Sequence, residues 1–178
     1  MANKPPPLPH ETLSRVLNVA SFNGRLLLIM AGSLAILHAA QHHPAGATVG
    51  VLVAGTGALL LHGAEILRTG DPRGVDWLVR SQLLLLAVML IFSATQLMRP
   101  AQDILDELRS SPEAAAVLEQ TPIPQLQFAQ IINGIFYVSV GLASLIYAGP
   151  MALYYHRRRN IVTTALDDEL FEALDDRD

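Results

Sequence analysis

The chain reads as an all-α integral membrane protein with four transmembrane helices and both termini in the cytoplasm. Three observations predict it. Hydrophobic residues make up 51% of the 178 residues and charged residues only 16%, against roughly a quarter in a soluble domain whose surface must face water. Mean hydropathy is positive, at +0.36. From Leu26 to Leu61 there is no Asp, Glu, Lys or Arg. That gap is longer than one buried helix needs and fits two membrane crossings joined by a short turn.

Residues 1–21 form a cytoplasmic tail followed by an interfacial helix. Four of the first nine residues are proline, which keeps that stretch extended. From about His10 the apolar residues Leu13, Val16, Leu17 and Ala20 recur at helical spacing, as on a helix lying along the membrane surface before the first span. The first apolar run begins only at Leu26, too far from the start for a cleaved leader, so it is read as a retained span.

The four-helix transmembrane domain covers residues 22–156, with spans at about 22–41, 47–67, 78–98 and 128–154. The turn at 41–46 carries a proline. Asp71 and Pro72 supply a cap and first residue for the third helix. Trp77 stands where an interfacial aromatic anchor belongs. In the acidic segment 99–127, Pro100 to Arg109 groups Ile104, Leu105 and Leu108 on one helical face, and Ser111-Pro112-Glu113 starts a second short helix. The fourth span holds Pro150, a source of kinking, and runs into Arg157, Arg158 and Arg159. Residues 157–178 form an acidic cytoplasmic tail.

Orientation follows from Lys and Arg, which concentrate on the cytoplasmic side. Lys4, Arg15 and Arg25 precede or open the first span. The 41–46 turn has no basic residue. Arg68, Arg73 and Arg80 flank the next loop, and the 99–127 segment sets Arg99 and Arg109 against five acids. Basic and non-basic loops alternate as four crossings require, and the strength of the asymmetry is that of a bacterial inner (plasma) membrane.

Several residues are candidates for function. Gly46, Gly50, Ala54 and Ala58 repeat at four-residue spacing, and small residues let helices approach closely where lipid provides no hydrophobic drive. Their plain role is packing among the spans; their sharper one is contact with another subunit. Arg25, His62, Glu65, Arg80 and Gln82 lie within about two turns of the cytoplasmic face, and polar groups at membrane depth are costly. They serve either as a snorkelling tie between helices or as a vestibule handling ions or protons. His38 and His42, four apart, would share a helix face as a metal-ligand pair does. A haem bridged by His38 and His62 is excluded, because their depths differ by roughly 15 Å at the helical rise.

The tail places Leu166, Leu170, Phe171 and Leu174 in an apolar stripe among acids. Such a helix fits a groove on a partner, with a basic cytoplasmic protein surface as its complement. The absence of cysteine removes disulfides and thiolate sites. No phosphate loop, nucleophile elbow or paired-histidine zinc motif is present, and no basic aromatic surface for nucleic acid. No cofactor is expected. The expected role is non-enzymatic: association with the bilayer and with other membrane subunits or a second copy, as an accessory or scaffold protein. The alternative is a small oligomeric ion or proton channel or transporter built on the cytoplasmic polar residues.

The lack of cysteine allows a direct test of topology. A single cysteine at Ser111 should react with an impermeant maleimide in intact cells, whereas one at Thr164 should react only after permeabilisation. The reverse pattern would invert the orientation.

Overall fold

The computed structural model describes the backbone of residues 9–175 and the side chains of residues 10–166. Among them there are six helices and no strand: α1 (Pro9–Ala40), α2 (Pro44–Arg68), α3 (Arg73–Leu97), α4 (Ala101–Ser110), α5 (Pro112–Gln120) and α6 (Gln125–Asp175). Helices α1, α2 and α3, and α6 as far as Leu166, are long and apolar enough to cross a membrane. Each keeps its backbone hydrogen bonds within itself, as a spanning segment must when no water is available to satisfy them.

The breaks between helices have local causes. Pro44 sits at the start of α2, where its missing N–H is no loss. At the far end the Thr69 N–H bonds to the Glu65 carbonyl and the Gly70 N–H to the Leu67 carbonyl. Gly70 follows with φ +85°, a left-handed conformation that glycine adopts without steric penalty. Asp71 then accepts a hydrogen bond from the Arg73 N–H at 2.8 Å, which satisfies an otherwise free donor at the head of α3.

Two joints differ from the sequence expectation. No interfacial helix is set off from the first span, because α1 runs unbroken for 32 residues. Gly24 lies inside it at a close contact: a side chain at this position would meet Leu61 at 2.8 Å and the Gly57 carbonyl at 3.0 Å. The tail is not separate from the fourth span either. Helix α6 continues through Pro150 and the arginine run for 51 residues.

By packing, the chain forms two units. Unit 1 comprises the residues up to Leu86 and from Tyr147 onward; unit 2 is Ala87–Ile146. The core of unit 1 gathers Leu13, Val16 and Ala20 of α1, Leu60, Ala64 and Leu67 of α2, Val75 and Leu78 of α3, and Tyr155, Val162, Ala165 and Leu166 of α6. The face expected at the membrane surface, Leu13, Val16, Leu17 and Ala20, is thus covered within the chain. Unit 2 has a smaller core of Ile104, Leu105, Leu118 and Ala129.

Within unit 1, α1 and α2 meet backbone to backbone. A Cβ on Gly57 would lie 2.7 Å from the Gly24 carbonyl and 2.8 Å from the Leu28 nitrogen. A Cβ on Gly50 would lie 2.8 Å from that of Ala35. Backbone atoms cannot rotate away, so the approach depends on glycine at these sites. Gly57→Ala should therefore destabilise the α1–α2 pair by about 1–3 kcal/mol, the usual range for overpacking. Gly32, with open space around it, should accept alanine neutrally or gain up to about 1 kcal/mol of helix propensity. Unfolding titrations in mixed micelles read both.

Candidate functional site

The five polar residues expected on the cytoplasmic side all belong to unit 1, and they are held separately. Glu65 pairs with Arg68 at 3.4 Å on its own helix, and none of the ion pairs among the described residues joins it to Arg25 or Arg80. Arg68 also donates to the Ser21 hydroxyl at 3.2 Å, linking α2 to α1. The His62 ring stands edge-on to Trp77, with centroids 5.4 Å apart. Arg25 and Arg80 are exposed. Gln82 is fully buried, and neither its amide nitrogen nor its oxygen has a hydrogen-bond partner among the described residues.

The small-residue stripe resolves into two faces of α2. Four residues turn a helix by about 400°, so a stripe at that spacing drifts by about 40° per step. Gly46 packs beneath the His38 ring and Gly50 against Ala35. Ala54 is half-buried and Ala58, by then a third of a turn round from Gly46, is exposed. The line that follows α1 is instead Gly50 and Gly57, seven residues apart. A second line, Thr48, Val51, Gly55, Ala58, His62 and Glu65, is exposed along the helix.

The histidines are rearranged as well. Helix α1 ends at Ala40, and His42 takes φ +58° in the turn, so His38 and His42 do not share a helical face. The ring beside His38 is His43, with centroids 6.4 Å apart. The helix stops because Pro44 follows so closely. Among the described residues no group of three or more His, Cys, Asp or Glu is placed to hold a metal ion.

Leu166, expected to dock into a partner, is buried in the core of unit 1. The side chains of Leu170, Phe171 and Leu174 lie outside the described residues. The arginine run makes contacts within unit 1. Arg158 stacks over the Tyr154 ring at 4.5 Å, and Arg159 pairs with Asp76 of α3 at 3.4 Å.

Unit 2 contains a feature that the sequence reading did not single out. Arg99, just beyond α3, pairs with Glu107 of α4 at 2.8 Å. Beside this pair lies a cavity of about 140 Å³, walled by Ile104, Leu108, Ile132 and Phe136 and bordered by Asn133 and Tyr137. Asn133 donates to the Gln96 carbonyl at 3.0 Å. Tyr137 is wedged between Phe92 and Phe136, edge-on to both rings at 5.6 and 5.0 Å. The available signal was the helical face of α4 combined with the i,i+4 pair Asn133 and Tyr137 on α6; no linear spacing connects the two.

No protein-family model, curated protein or solved structure matches this chain. Among the described residues the fold is all-helical, with four helices long and apolar enough to cross a bilayer, and the class it defines is that of a multi-span helical membrane protein.

Gln82 offers a test of what its burial means. An unsatisfied buried amide is destabilising by about 1–3 kcal/mol, and replacing it with an apolar group of similar shape removes that penalty. Gln82→Met should leave the unfolding midpoint unchanged or raise it. A marked fall would show that the amide is satisfied by a group outside this chain.

Proposed function

We propose that this is a non-enzymatic, multi-span protein that works by association, as an accessory or scaffold subunit of a membrane complex or as a homo-oligomer. The setting that its Lys and Arg distribution favours is a bacterial inner membrane, with both termini cytoplasmic. The observation that carries the reading is the uncovered line on α2. Beyond Thr48 and Val51, Gly55 and Ala58 present only small residues, and His62 and Glu65 continue the line with polar groups.

Lipid tails have nothing to offer such a face. Small residues give up dispersion contact to disordered chains, while a neighbouring helix can lie close against them. Polar side chains in an apolar helix gain likewise from a protein neighbour. The other small residues of α2, Gly46, Gly50 and Gly57, are already engaged with α1, so the uncovered line has a different use. A closed ring of copies meeting through it would bring His62 and Glu65 of every copy toward one axis. That is the arrangement in which the channel alternative would follow.

Extraction in native nanodiscs, with mass measurement and identification of co-purifying chains, tests the reading. The expected result is a particle larger than one chain, reduced to a single chain by Gly55→Leu combined with Ala58→Leu while helicity is retained. A parent protein that is already a single chain with no companion would overturn it.

A further inference from the structure

The cavity in unit 2 has the construction of a ligand site, and its chemistry restricts the ligand. Its volume of about 140 Å³ is close to the ~150 Å³ that accommodates one benzene ring in an apolar protein cavity. The walls are aliphatic and aromatic: Ile104 and Leu108 from α4, Ile132 and Phe136 from α6. An apolar lining with a few fixed polar groups is the general form of a small-molecule pocket.

The polar groups select by charge and by hydrogen bonding. Arg99 does not present a free cation, because Glu107 holds it at 2.8 Å and Gln96 accepts a second contact from it at 3.4 Å. An anion would have to displace Glu107, and a cation would have to displace Arg99. The border of the pocket is therefore electrically neutral. Two groups remain open to a ligand. The Asn133 amide nitrogen is used by the Gln96 carbonyl, which leaves its side-chain oxygen as an acceptor. The Tyr137 hydroxyl makes no hydrogen bond to another described residue, while Phe92 and Phe136 fix the position of its ring. Asn133 and Tyr137 are one turn apart on α6 and so share a side of that helix.

A single hydroxyl satisfies both groups, donating its proton to the Asn133 oxygen and accepting one from the Tyr137 hydroxyl. We infer that this cavity binds the hydroxyl-bearing ring of a small neutral amphipath, a phenol or cyclic alcohol that partitions into the bilayer. One wall of the pocket is α6, a candidate span, so a ligand dissolved in lipid has access to that helix. The inference stands apart from the oligomeric reading, since every residue in it belongs to one unit of one chain.

The test uses the full-length protein in nanodiscs, with 4-propylphenol, propylbenzene and 4-propylbenzoate as probes. Saturation-transfer NMR reads binding, and the signal from empty nanodiscs is subtracted. The expected order is the phenol first, propylbenzene roughly fivefold weaker for want of its hydrogen bonds, and the benzoate without measurable binding. Tyr137→Phe keeps the ring contacts and should bring the phenol down toward propylbenzene without changing the unfolding midpoint. Leu108→Trp fills the cavity and should abolish binding of both neutral probes. Equal binding of phenol and propylbenzene to the parent protein would overturn the inference. So would preference for the benzoate, or a phenol preference that survives Tyr137→Phe.

Discussion

The contact on which unit 1 depends is the crossing of α1 and α2 at Gly24 and Gly57. Inside a bilayer, burying apolar side chains against one another gains little over burying them in lipid, so helix pairing relies on close packing. Here it is as close as backbones allow, with each glycine's missing side chain making room for the other helix's carbonyl. From that crossing the rest follows by geometry. Arg68 comes within reach of Ser21, and His38 settles over Gly46. The same principle operates between α2 and α3, where a Cβ on Gly74 would lie 2.6 Å from the Gly63 carbonyl. Glycine is a poor helix former in water, yet these spans use it where helices must nearly touch.

The long α6 shows how one helix serves two environments. Its first half is largely uncovered by the chain: only 11% of its most apolar stretch is buried, as suits a helix bathed in lipid. Its second half is covered. Tyr155, Val162, Ala165 and Leu166 enter the core of unit 1, and Arg159 reaches Asp76. Exposed surface ion pairs contribute little to stability, so the apolar contacts carry this docking and the arginine orients it. Leu166 consequently belongs to the protein's own interior.

The candidate sites differ in how far they could be read beforehand. The four spans were legible because hydropathy and the distribution of charge are properties of linear sequence. Individual residues were legible as types but not as partners. Glu65 was grouped with Arg25 and Arg80, but Arg68, three residues away, is nearer by construction, since neighbours one turn apart on a helix need no tertiary structure to meet. The stripe at Gly46, Gly50, Ala54 and Ala58 looked continuous in the sequence but winds around the helix, so that its two ends face different surroundings. The cavity beside Arg99 was hidden because its walls come from three segments, none of which carries a recognisable spacing.

The sequence by itself determined that this is a helical membrane protein and where its apolar helices lie, because membrane crossing is decided by the composition of about twenty consecutive residues. It also marked the turn at Gly70 and Asp71, where local backbone chemistry suffices. Only the tertiary structure decided that α1 and α6 run on without a break, which glycines are in contact, that Gln82 is buried, and that Arg99 and Glu107 close one side of a neutral pocket. Those outcomes depend on which helix face meets which. In a chain whose spans are apolar nearly all round, the periodicity that would announce a buried face is largely absent.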